Sequence, residues 1–167
     1  MGLEQDIKGW DGKSSSDIES IYSRYCNDAT FTADLISLVK KESLQNGATW
    51  LIKQHFENQH SLDAKEIADI YTLLPTLVPW EAKLHILQCI PHMPIGVTEK
   101  RRVVIFLRQC LTDTNKFIRA WAYNGFYEIS LQYPEYKIET QQFFEMAMRD
   151  EAPSVKARIR NILNKGF

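Results

Sequence analysis

Residues 111–126 read Leu-Thr-Asp-Thr-Asn-Lys-Phe-Ile-Arg-Ala-Trp-Ala-Tyr-Asn-Gly-Phe, and their pattern returns 37 positions later. Asp113, Ile118, Arg119, Ala122 and Phe126 correspond to Asp150, Val155, Lys156, Ile159 and Leu163. Each set gives an acid, four spacers, a β-branched residue, a cation and two further apolar positions. The segment before each copy repeats too, with Phe106, Leu107, Cys110 and Leu111 matching Phe143, Phe144, Ala147 and Met148. The recurring unit is therefore a pair of helices. A fainter copy lies 36 residues upstream, where Ile70, Tyr71 and Leu74 precede Ala82, Lys83, Ile86 and Ile90, and Leu77 replaces the acid. Fainter still, Leu35, Ile36 and Val39 precede Leu51, Ile52 and His55. A period of 35 to 37 residues predicts stacked helical repeats, each pair burying an apolar face that it cannot cover alone.

Stop and start signals agree with that period. All six prolines fall at expected helix ends, and Pro153 stands at a helix start, where a missing N–H costs little. Residues 1–14 are polar and contain three glycines, so they predict a loose arm anchored only by Trp10, ahead of a single domain over 15–167. Ser16 with Glu19 reads as a capping box opening a short helix that caps the stack, and Asp63 with Glu66 opens another. Helices are expected over 32–46, ending at Gly47, and over 48–58. Further helices are expected over 80–90, 98–111, 116–133, 138–149 and 154–164. Gly125 stands inside its helix, where two helices should approach closely.

At 167 residues and 44% hydrophobic, the chain can bury a sizeable core. It has no run of about 20 apolar residues that could span a bilayer. Its first ten residues lack the apolar core of a signal peptide, and Asp6 stands where a myristoylation signal wants Ser or Thr. A cytoplasmic protein is expected. Cys26, Cys89 and Cys110 show no paired spacing and read as reduced thiols. Residues 1–83 carry 8 cations against 13 acids and residues 84–167 carry 12 against 8, with seven of eight arginines after residue 100. That asymmetry either steers an acidic partner to the C-terminal half or merely coats solvated faces.

The Asp113/Ile118-Arg119 and Asp150/Val155-Lys156 pattern resembles the HEAT repeat, whose second helix follows an Asp and carries a Val-Arg pair near its start. The resemblance is specific over residues 99–165 and weak over 30–98. It implies an all-α, right-handed α-α superhelix (solenoid) of about four HEAT-like helix pairs behind an N-terminal capping helix. It also implies that Asp113, Arg119, Asp150 and Lys156 form a ladder between repeats, and that the module is a scaffold or adaptor for a protein or peptide. One enzymatic branch, the DNA alkylation repair glycosylases, uses tryptophans and an aspartate in a basic concave channel. Trp80, Trp121 and Asp113 supply those residue types, but that branch's active-site motif finds no match, and the N-terminal half is acidic where DNA needs cations.

No catalytic residues emerge. The chain has no glycine-rich phosphate loop and no nucleophile in an elbow-like turn. His85, Cys89 and His92 lack a fourth metal ligand, so neither a metal site nor any other cofactor is expected. His55 and His60 fall on different faces of a helix and are expected at the surface or at an interface. The resemblance puts second helices on the concave side, so residues opposite their core faces mark a binding strip. At 100° per residue with Ile118 inward, Ala122, Gly125, Phe126 and Ile129 fall within about 80° of it. Lys116, Tyr123 and Tyr127 then face outward, as do Trp80, Leu84 and Leu87 one repeat earlier and Arg160 one repeat later. This strip is either an exposed aromatic interface or is covered by the N-terminal arm or by neighbouring helices.

Overall fold

A computed structural model describes residues 2–167, which are all-α: ten α-helices and four single-turn 3-10 segments. The chain divides into two compact units, Met1–Pro94 and Ile95–Phe167. Among the described residues no helix is long and apolar enough to cross a membrane.

The first unit holds α1 (Leu3–Gly9), α2 (Ser15–Tyr25), α3 (Phe31–Val39), α4 (Gln45–Glu57), α5 (Ala64–Thr72) and α6 (Trp80–Cys89). The expected loose arm contains a helix, because Leu3 and Ile7, four apart, both find cover. Ile7 lies where a Cβ on Gly47 would approach within 2.6 Å, and Asp6 pairs with Arg24 at 2.9 Å. Gly47 therefore does not end a helix. It sits inside α4, and its missing side chain makes room for Ile7. The helix expected over 32–46 stops at Val39, and a 3-10 turn over Glu42–Leu44 leads into α4. The cap of α2 is Ser14, which accepts from the Asp17 N–H, because Asp11 accepts from the N–H groups of Lys13 and Ser14 and turns the chain there. Asp63 and Glu66 do form a reciprocal capping box. Ile18, Leu35, Leu51, Tyr71 and Ile86 are almost wholly inaccessible in this core.

The second unit holds α7 (Lys100–Leu111), α8 (Lys116–Gln132), α9 (Lys137–Asp150) and α10 (Pro153–Leu163). Helix α8 packs against α7, α9 and α10. A Cβ on Gly125 would run into Leu107, so α7 and α8 approach closely there as expected. Asn115 caps α8, accepting from the N–H groups of Phe117 and Ile118, and Asp113 in turn accepts from the Asn115 N–H. Helix starts keep the period read from the sequence. Ala64 and Trp80 lie 36 positions before Lys100 and Lys116, which lie 37 before Lys137 and Pro153.

Candidate docking site

Polar contacts within each unit join neighbouring helix pairs about one period apart. In the first unit Gln45 donates to the Val39 and Thr76 carbonyls and accepts from the Val78 N–H. In the second, Gln132 accepts from the Ile95 N–H at 2.9 Å and Arg108 forks onto Glu139, with its shortest bond 2.8 Å.

The least exposed ion pair among the described residues joins Arg119 to Glu151, at 2.9 Å from Nε and 3.1 Å from Nη2, with side-chain exposures of 21% and 13%. Arg119 also donates to the carbonyls of Asp113 and Thr114. The ladder expected from Asp113, Arg119, Asp150 and Lys156 is thus corrected. Glu151, not Asp150, meets the cation, since Asp150 is the last residue of α9 and exposed, whereas Glu151 turns back at the helix end. Asp113 contributes a turn and a carbonyl, and Asp150 and Lys156 form no ion pair among the described residues. Burial alone would raise the Glu151 pKa. The Arg119 fork and the Ala152 N–H outweigh it and hold the carboxyl below its ordinary value. Tyr123 lies beside this pair, its hydroxyl pushed up to about 12 by burial and then by the Glu151 carboxylate.

The strip expected either as an exposed interface or under neighbouring helices is divided between core and surface. Leu87, Tyr123 and Tyr127 are buried, at 0%, 8% and 9% exposure, and only Trp80, Lys116 and Arg160 are exposed, with Leu84 half-buried. The cover over the tyrosines is not the arm. Tyr123 meets Phe144 edge-on at 6.1 Å and Tyr127 meets Phe167 at 5.4 Å, within a cluster that includes Ala147, Val155 and Ile159. The construction from Ile118 gave α8 one buried face, whereas α8 packs against α7, α9 and α10 and is covered on more than one side. In α6, Ile86, Leu87 and Cys89 spread over about 160° of the helix circumference, and all are at or below 1% exposure. Trp80, Leu84 and Leu87 belong to the first unit, and Lys116, Tyr123, Tyr127 and Arg160 to the second.

The histidines find separate partners. His85 Nδ1 bonds the Thr49 hydroxyl at 2.9 Å, and the His92 ring stacks on Phe56. Burial raises the pKa of the Cys89 thiol, keeping it protonated. Among the described residues no three His, Cys, Asp or Glu side chains are arranged to hold a metal ion. His55, expected at the surface or at an interface, is buried against the Tyr22 hydroxyl at 3.1 Å and stacks on His60 at 4.4 Å. The helix exit explains this: Gln59 takes a left-handed φ of 67°, and His60 N–H donates back to the His55 carbonyl, which folds one ring onto the other. Burial, with Lys53 nearby, pushes His85 down to about 4. The unfolded chain therefore takes up that proton first, so stability should fall as pH drops from about 6.5 towards 4. Denaturation midpoints of the wild type and of His85→Gln at pH 7 and pH 5 check this, with the smaller drop expected in the variant.

An open cleft of about 530 Å³ lies on α9 and α10, lined by Gln141, Phe144, Glu145, Met148, Leu163 and Phe167. Leu163 is 40% exposed on its rim, and Met146, 54% exposed, lies on the same helix as four of the lining residues. Sequence reasoning missed this cleft although Leu163 belongs to the repeated pattern, because that pattern marks which residues face a neighbour and not whether the neighbour is present. Comparison with protein-family models, with curated proteins and with solved structures finds no match to this chain.

Proposed function

We propose that the chain is a noncatalytic, HEAT-like helical-repeat scaffold that binds a protein or peptide partner, and that the binding site is the α9–α10 cleft. The cleft itself carries this reading: an apolar floor of Phe144 and Phe167 opens beside exposed Leu163 and is flanked by the polar Gln141 and Glu145. Solvent-accessible apolar clefts with polar rims are where helical partners anchor. The recurring helix starts, and polar contacts that reach one period along the chain, support the stacked-repeat architecture. The proposed site adjoins the predicted strip without including its tyrosines, since Phe144 and Phe167 of the cleft pack on Tyr123 and Tyr127, which are occupied in the core.

A single substitution tests it. Leu163→Glu places a charge on an already exposed rim, so the melting temperature should stay within about 2 °C, while affinity for an identified protein partner should fall at least tenfold. Full retention of that affinity would overturn the reading. So would tight binding to duplex DNA that weakens steeply with salt and ignores this substitution.

A further inference from the structure

The cleft is one repeat-period removed from a seat that this same chain fills. Helix α9 lies against α7 and α8 through positions four apart: Glu139 meets Arg108, Phe143 packs edge-on against Phe126 at 5.0 Å, Ala147 enters the cluster with Tyr123, and Glu151, just past the helix, meets Arg119. Adding 37 to four of the receiving positions, Arg108, Leu111, Arg119 and Phe126, gives Glu145, Met148, Lys156 and Leu163. Three of these line the cleft. The fourth, Lys156, is half-buried near the start of α10, as Arg119 is near the start of α8. Apolar residues are retained at Met148 and Leu163, whereas Tyr123, which meets α9 through the cluster with Ala147, is replaced by the exposed Arg160, and the charge at the first position is reversed from Arg108 to Glu145.

The geometry points to one occupant: an amphipathic helix of a protein partner, lying as α9 lies on the previous repeat. It carries a cation, an aromatic residue, a small residue and an acid at successive four-residue intervals. The cation answers Glu145, the aromatic enters beside Leu163 and Met148, and the acid answers Lys156. Glu145 and Lys156 form no ion pair among the described residues, so both charges are available to choose and orient the helix. This inference rests on the docking function proposed above and specifies its ligand.

The probe is a helix-stabilised peptide carrying the sequence of residues 137–151 with Glu139→Arg, alongside the same peptide with Glu139 kept. Each is titrated into the full chain while the methyl resonances of Met148 and Leu163 are followed. Both peptides should shift those methyls, and the Glu139→Arg peptide should bind about fivefold more tightly. Glu145→Arg in the protein should reverse that preference, and Lys156→Glu should weaken both peptides. Equal affinities that Glu145→Arg leaves unchanged, or shifts confined to other residues, would overturn the inference. If neither peptide binds while Leu163→Glu still abolishes binding of a protein partner, the inference falls and the docking function stands. If Leu163→Glu changes no partner, both fall. Concentration-dependent dimerisation of the wild type that Leu163→Glu abolishes would assign the cleft to a second copy and also overturn the inference.

Discussion

Tyr123→Ala combined with Tyr127→Ala will unfold the second unit. The two rings are buried within the cluster formed with Phe144, Ala147, Val155 and Ile159. Truncating a buried aromatic costs about 3 to 5 kcal/mol through lost transfer energy and the cavity left behind. The neighbours cannot close that space easily, because Phe144 and Phe167 are already fixed edge-on or tilted against these rings and each other. Two such losses approach the whole stability of a typical small domain, about 5 to 15 kcal/mol. Chemical denaturation followed by tryptophan fluorescence and circular dichroism reads this directly. A double variant with an unchanged midpoint would show that these tyrosines do not hold α9 and α10 onto α8. Tyr123→Phe separates packing from polarity, and should cost only about 1 kcal/mol for the lost interaction of its hydroxyl with Glu151.

Arg119→Ala should destabilise the fold by about 3 kcal/mol at pH 7, since it leaves the mostly buried Glu151 carboxylate without its bidentate cation. Replacing both residues by apolar ones of similar size, Arg119→Met with Glu151→Leu, should cost less than the single change. The pH dependence has a definite sign. Glu151 titrates below its ordinary range in the folded chain, so the unfolded chain binds that proton more readily. The pair's contribution is therefore complete above the ordinary carboxylate range and is lost as pH falls through the lowered value. The difference between wild type and Arg119→Ala should be full at pH 7 and shrink below about pH 4. A deficit under about 0.5 kcal/mol at pH 7 would mark the pair as no more than a surface contact.

Both predictions turn on α8, where sequence and structure part company. The repeat pattern correctly placed Ile118, Ala122 and Phe126 on one buried face and Gly125 at a close approach, because helical period and side-chain size are local properties. The same reasoning turned Tyr123 and Tyr127 away from that face and left open whether they were exposed or covered by the arm or neighbouring helices. The period defines a face opposite Ile118, but it does not say whether another helix covers that face. Gly47 failed in the same way: glycine after an apolar run is a common helix end, yet here it admits Ile7 from a distant segment. Arg119 was expected in a ladder with Asp113, Asp150 and Lys156, whereas it pairs with Glu151, because a helix end turns Glu151 inward and leaves Asp150 in solvent.

Local pattern alone was enough for the all-α class, the period, the capping of α5 and most of the core positions that repeat every 36 or 37 residues. These depend on neighbours along the chain: apolar spacing near 3.6 residues, side chains that satisfy helix-end N–H groups, and prolines that cannot continue a helix. Only the tertiary structure decided the division into two units, the helical state of residues 3–9, the Arg119–Glu151 pairing and the opening of the α9–α10 cleft. Those are set by which surfaces meet across long stretches of chain. An apolar face has the same residue pattern whether it is buried against a neighbour or left open to receive one.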